Sequence, residues 1–220
     1  DMGISKLLTT SNGETIKPKN SFKANQLKLA KLQRQLSKKV TFSQNWKKHN
    51  RKIQKLHSHI ANIRHDYLHK ITTSISKNHA MIACEDLTVI NMSTSASGSV
   101  ENKGRHVKAK AGLNRAILDQ GWGMMVNMLE YKQQWQGGLL IKVNPRYTSQ
   151  TCSQCQHIAK ENRQTQAKFE CVKCGHKANA DINAARNILA AGHAVLSAEG
   201  GCSKGRPMKQ KTCDGREKVA

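Results

Sequence analysis

Acidic residues are scarce in this chain. Across 220 residues, 14 Asp and Glu stand against 37 Lys and Arg, which leaves a formal charge of +23. That balance points to a polyphosphate partner, because every phosphate neutralised by a cation releases condensed counterions. The excess runs along the whole sequence and is not gathered in a tail. A soluble protein that is simply basic is the alternative, since net charge constrains partners and not fold. Long apolar runs are missing too, as is a signal-peptide pattern, so the sequence gives no support for a membrane partner. Aromatics make up only 4% of residues and hydrophobics 37%. A chain of this length can still bury a core, as one domain or as one domain carrying a small insert. Cysteine is better supplied, with seven residues, four of them in paired knuckles that suit a reducing compartment.

Those knuckles organise the chain. Cys152/Cys155 and Cys171/Cys174 are two Cys-x-x-Cys turns separated by a short polar loop. Each turn aims two thiolates at one point, and two turns complete the tetrahedron that Zn²⁺ prefers. A structural zinc ribbon is the reading, with no open coordination position. Four structural or disulfide cysteines are the alternative. His157 and His176 lie near enough to substitute as ligands but read as polar turn residues. Lys160, Arg163 and Lys168 in the ribbon loop are candidate contacts to a nucleic-acid backbone.

In chain order, residues 1–17 read as a β-hairpin turning at Asn12-Gly13, a strong short-range hairpin signal. Leucines at 29, 32 and 36 give a helix from about 22 to 39. A longer helix follows to about 78, with Ile53, Leu56, Ile60, Ile63, Tyr67, Ile71 and Ile75 as a buried stripe and lysines and arginines opposite. The two should fold back as an antiparallel hairpin. His65 and His69 stand one turn apart, but no third ligand is evident, so they read as part of a basic, nucleic-acid-facing surface. A short strand over 80–87 ends in Glu85-Asp86. Residues 90–110 read as a mobile loop. Residues 112–136 read as a helix broken near Gln120-Gly121, with Trp122 and Trp135 free to pack or stack. Residues 139–143 read as a second buried strand. Asp181 opens an alanine-rich helix ending at Gly192, and 193–220 read as a disordered basic tail with Cys202 and Cys213 unpaired.

Three acids have two readings each. Asp1 is a terminal charge or a ligand. Glu85 is a strand end emerging into solvent or a buried carboxylate that needs a partner. Asp181 is a helix N-cap or a ligand at the start of a helix.

The blocks DMGI, IACEDL, NPRYTSQTCSQC, CVKCGH, ADINAARNIL and GCSKGRPMKQ, in that order, resemble the C-terminal half of the OrfB/TnpB family, transposon-encoded relatives of type V CRISPR effectors. The resemblance implies an α/β fold of RNase H-like, RuvC type: a mixed sheet with a helical hairpin insertion and an inserted zinc ribbon. It divides the chain into a first part of the nuclease domain (1–145, with the helical hairpin at 22–78 and the strand at 80–86), the ribbon (146–178), a final catalytic helix (179–192) and the tail. It places the catalytic acids at Asp1, Glu85 and Asp181, and the zinc ligands at Cys152, Cys155, Cys171 and Cys174. Hard oxygen ligands of that kind hold Mg²⁺ or Mn²⁺.

The function implied is an RNA-guided DNA endonuclease associated with a transposon, hydrolysing phosphodiester bonds by two-metal-ion catalysis. DNA and a guide RNA are its partners, in a prokaryotic cytoplasm near the nucleoid. Two alternatives remain open: a catalytically inactive zinc-ribbon binder of nucleic acid, and a strand-transferring transposase. RNase H-like folds host nucleases and transposases alike. The family's N-terminal half has no counterpart here, and the first residue is not methionine. The expectation is therefore a C-terminal fragment without guided cleavage of its own. Oligomeric state is not legible.

Overall fold

Why the chain folds as it does is visible first in the long helical hairpin. In the computed structural model, which describes residues 1–99 and 101–200, α1 (Ser21–Ser37) folds back on α2 (Gln44–Asn78). Leu29 of α1 meets Ile53, Leu56 and Ile60 of α2 in a small apolar seam. Burying one such leucine or isoleucine stabilises by about 1.5–3 kcal/mol. Asp119 fixes the start of α1 from far along the chain. Its carboxylate accepts from Phe22 N at 2.9 Å and from Lys23 N at 3.2 Å, with Arg64 at 3.6 Å. It thereby satisfies amide groups that a helix start leaves without partners.

Ahead of the hairpin lie β1 (Leu8–Thr9) and β2 (Thr15–Ile16), paired antiparallel across the Asn12-Gly13 turn. Asp1 and Thr9 exchange backbone bonds of 2.8 and 3.1 Å, so the first residues run alongside β1. After α2 come β3 (Met81–Glu85), a short α3 (Val89–Met92), α4 (Val107–Gln120), α5 (Trp122–Trp135) and β4 (Leu139–Val143). Part of the segment read as loop is thus helical, because α4 starts at Val107. The helix break falls where expected. Gly121 has φ of 70°, a left-handed conformation glycine adopts freely. A Cβ there would press within 3.0 Å of Arg64.

The main core gathers Leu7 and Leu8 of the hairpin, Leu68 and Ile71 of α2, and Trp122, Met125, Met128 and Leu129 of α5. Met125 and Met128 are core, whereas Met124 is 39% exposed. Trp122 packs, 3% exposed, whereas Trp135 is 79% exposed and tilts against Tyr131 at 4.7 Å.

β3 and β4 pair in parallel, with Glu85 opposite Val143. The mixed sheet read from the sequence is not continuous. Among the described residues the strands form three separate two-stranded sheets: β1–β2, β3–β4, and β5 (Lys168–Glu170) with β6 (Lys177–Asn179). A largely apolar cavity of about 250 Å³ is lined by Leu8 of the hairpin and Ile82 and Cys84 of β3, with Met125 and Leu189 among others.

The last helix, α6 (Ala180–Gly200), does not stop at Gly192. That glycine serves close approach instead. A Cβ placed on it would come within 2.6 Å of the Ala83 Cβ in β3. The expected tail from 193 is therefore helical through 200, while Cys202, Cys213 and the GCSKGRPMKQ block lie outside the described residues. Gly192→Ala should destabilise the chain by about 1–3 kcal/mol through overpacking, even though alanine is the better helix former by about 1 kcal/mol. Thermal melting reads this directly, at roughly 2–4 °C per kcal/mol for a chain of this size.

Candidate functional site

The ribbon is built from two knuckles of matching backbone design. Cys152 N donates to His157 O at 3.0 Å and Cys171 N to His176 O at 2.9 Å. Gln156 N and Gly175 N return to the carbonyls of Cys152 and Cys171, each at 2.9 Å. Both histidines thus act as turn residues, each through its carbonyl. The four Sγ atoms lie within 4.8 Å of one another, with Cys152–Cys174 at 3.7 Å and Cys155–Cys171 at 3.6 Å. A ZnS₄ tetrahedron with bonds of about 2.3 Å has edges of about 3.8 Å. The donor set therefore fits zinc. Burial works against the Cys171 thiolate, but the N–H groups of Cys174 and Lys173 and neighbouring thiols outweigh it and hold its pKa at about 6. Cys174 accepts from the His176 N–H, yet crowding by the Cys155 thiol and burial push it up to about 12. Thiols packed this closely compete for protons that a bound cation would displace.

Three asparagines seat the ribbon. Asn162, fully buried, donates to the carbonyls of Gln150 and His157 and accepts from Val172 N. Asn183 and Asn187, one turn apart on α6, reach across to the first knuckle. Asn183 accepts from Ser153 N at 3.0 Å and donates to Thr151 O at 2.7 Å, and Asn187 donates to Thr148 O at 2.8 Å. Sequence reasoning missed them. The available signal was two polar residues at i and i+4 in an alanine-rich helix, a spacing that puts both on one face.

The acids lie on adjoining walls. Asp181 sits in the first turn of α6 but is not its cap. The Asn179 side chain takes that role, accepting from Asp181 N at 3.1 Å. The Asp181 carboxylate instead meets Lys6 Nζ at 2.9 Å and Arg163 at 3.6 Å. Asp1 and Asp181 line one open cavity of about 640 Å³, together with Lys6, Arg163 and Trp122. Glu85 ends β3, buried at 9% exposure, with Thr148 Oγ1 at 3.4 Å. It lines a neighbouring cavity of about 180 Å³ with Asp86 and Lys142, and both cavities share Met2 and Trp122. Burial lowers the pKa of the Asp1 ammonium, while the charges of Glu85, Cys84 and Asp181 pull it back up.

The structure does not close the three carboxylates on a common point. Among the described residues only the four cysteines form a group of three or more such side chains with ligand atoms within 4.8 Å. Lys6 and Arg163 hold the Asp181 carboxylate in ion pairs. Of the expected backbone contacts, Lys160 and Lys168 are exposed, whereas Arg163 is turned inward to Asp181 and the Gln166 carbonyl. His65 and His69 meet edge to face at 4.4 Å, and among the described residues no third ligand joins them. Lys6 was not foreseen, and its partner is 175 residues away.

Known proteins share this arrangement of blocks. Residues 1–96 match the OrfB family described as "Probable transposase", and residues 122–188 match the "Cas12f1-like, TNB domain". The chain is 62% identical to "Putative RNA-guided DNA endonuclease InsQ" of Escherichia coli (strain K12), covering 96% of this chain and 52% of that protein. It is 34% identical to a "Putative RNA-guided DNA endonuclease" of Streptomyces pristinaespiralis, covering 100% of this chain and 50% of that protein. The chain thus spans about half the length of the curated relatives it matches. Its fold is similar to that of a chain in the cryo-EM structure of a Cas12f1–sgRNA–target DNA complex, with a TM-score of 0.51 at 22% identity, over 85% of this chain and 47% of the other.

Proposed function

The chain belongs to the OrfB/TnpB family, and from that premise we propose that it is the nuclease-bearing half of an RNA-guided DNA endonuclease of RuvC type with an RNase H-like core. One observation carries the reading. Asp181 stands at a helix start without capping it and lines the same cavity as Asp1, Lys6 and Arg163, while Glu85 is buried at the end of β3. Burying a carboxylate without a full set of partners is costly, and a cation restores the balance.

Asp1, Glu85 and Asp181 would hold Mg²⁺ or Mn²⁺, since carboxylate oxygens suit these ions. When bound, a pair of such ions activates water and stabilises the leaving oxygen of a phosphodiester. Lys6 and Arg163 supply the positive charge that draws a phosphate into the cavity, and on its arrival they exchange Asp181 for the phosphate oxygens. The zinc ribbon is structural, and through Asn183 and Asn187 it fixes Arg163 relative to α6. Guide RNA and target DNA are the proposed partners, in a bacterial cytoplasm. No described helix is long and apolar enough to cross a membrane.

A second reading has support in the open spacing of the acids and in the cationic contacts to Asp181: a zinc-ribbon binder of nucleic acid without cleavage. The two part on products. A guide-loaded protein comprising this chain and the other half found in its relatives should release broken target DNA only when Mg²⁺ or Mn²⁺ is present. Intact, bound DNA would favour the binder, and joined ends would favour a strand-transferring transposase.

A further inference from the structure

The α1–α2 hairpin ends in a feature that neither the ribbon nor the acid cavities use. From Lys17 to Arg64 the chain has no acidic residue, so this whole arm is basic. At the turn between the helices two aromatic rings stand together. Phe42 is 73% exposed, and its ring centroid lies 5.5 Å from that of Trp46, tilted by 54°. Val40 in the same turn is 80% exposed. Lys38 precedes the turn and Lys47 and Lys48 follow it, all exposed.

These rings are not needed for the hairpin's own seam, which closes farther along at Leu29, Ile53, Leu56 and Ile60. The backbone of Phe42 is held at φ of 64°, an outlier for a bulky residue. Such strain clusters at sites where function requires a fixed side chain. The turn is otherwise well tied down. Ser43 N donates to Val40 O at 3.2 Å, and Ser43 Oγ caps α2 by accepting from Trp46 N at 3.2 Å. Both rings are therefore presented by ordered backbone, which spares a ligand the entropy of arranging them.

We propose that this tip binds unpaired nucleotides of a nucleic-acid strand, with a base stacked on Phe42 and Trp46 and flanking phosphates on Lys38, Lys47 and Lys48. Aromatic faces interleaved with cations are the pattern by which single strands are held without sequence preference. A duplex keeps its base faces stacked inside and offers the rings nothing comparable. The uninterrupted positive charge of the arm selects a polyanion over an apolar protein surface. The inference does not rest on cleavage and stands whether or not the acids cut.

Fluorescence anisotropy with the zinc-loaded 220-residue chain at fixed salt tests it. The probes are labelled oligo-dT, oligo-U, a strand of the same length with abasic sites, and a duplex. Phe42→Gly removes the ring and gives the left-handed position the residue that suits it, so the melting temperature should hold or rise. Binding of base-bearing single strands should weaken roughly tenfold, and binding of the abasic strand and duplex should not change. Phe42→Trp should restore the lost affinity. The oligo-dT and oligo-U arms report whether DNA, RNA or both are held. Equal loss on the abasic strand, or no loss on intact strands, overturns the proposal. So does a variant that dissociates a dimer of this chain while binding strands normally.

Discussion

Asp181→Ala or Glu85→Ala, made in this chain joined to the remaining half of a relative such as InsQ, should abolish cleavage of target DNA and leave guide and target binding in place. The reason lies in what these side chains touch. Neither serves the fold in a way alanine would ruin. The α6 cap is Asn179, and among the described residues the one hydrogen bond to the Glu85 side chain is the 3.4 Å contact from Thr148. Their proposed work is to hold divalent ions, whose charge stabilises the transition state by several kcal/mol. Losing about 4 kcal/mol lowers the rate roughly a thousandfold. Asp181→Ala also frees Lys6 and Arg163, so DNA affinity should hold or rise slightly. Cleavage that survives either change within tenfold, measured by single-turnover cutting of a labelled target, would remove the acids from the mechanism.

Zinc removal should have the second large effect. In small metal-stapled modules the ion supplies on the order of 10–16 kcal/mol of folding free energy. Here the ribbon's apolar interior is only Phe169 and Ala180 beside the cysteines, too little to fold without the ion. Strong chelation, or Cys171→Ser at the buried ligand, should unfold the ribbon. The cluster of Leu68, Trp122 and Met125 should remain, since it shares no residue with the ribbon's interior. Limited proteolysis should then cut within the ribbon while the α1–α2 hairpin resists. Acid acts in the same direction, because each thiolate must stay deprotonated to bind. Cutting should fall as well, since Arg163 and the first turn of α6 are positioned through the ribbon. A protease pattern and thermal profile unchanged by chelation would contradict a zinc-built ribbon.

Much of this was readable from residues because it is written in short-range rules. The knuckles repeat one local turn, the long helices carry a periodic apolar stripe, and Leu139–Val143 is a short apolar run bounded by turn residues. Other features depend on partners far along the chain, which no local pattern encodes. Asp119 fixes the start of α1 from 97 residues away, and Lys6 pairs with Asp181 across 175 residues. Gly192 misled for a related reason. As a helix residue it reads as a stop, but its packing against Ala83 is a tertiary fact. The sheet was over-read. The strand patterns were right locally, yet a cavity stands between the hairpin and β3. Among the site residues, the four cysteines are brought together as expected. The three acids line the walls of two neighbouring cavities, and Lys6 pairs with Asp181.

Whether those walls can close around shared ions is the most direct question. Crystals of the protein carrying both halves, bound to guide and target and soaked in Mn²⁺, should answer it by anomalous scattering. The account predicts two peaks about 3.5–4 Å apart, within bonding distance of the carboxylates of Asp1, Glu85 and Asp181, with Lys6 withdrawn from Asp181. No peak there, or a map in which Lys6 still holds Asp181 with substrate in place, would contradict it.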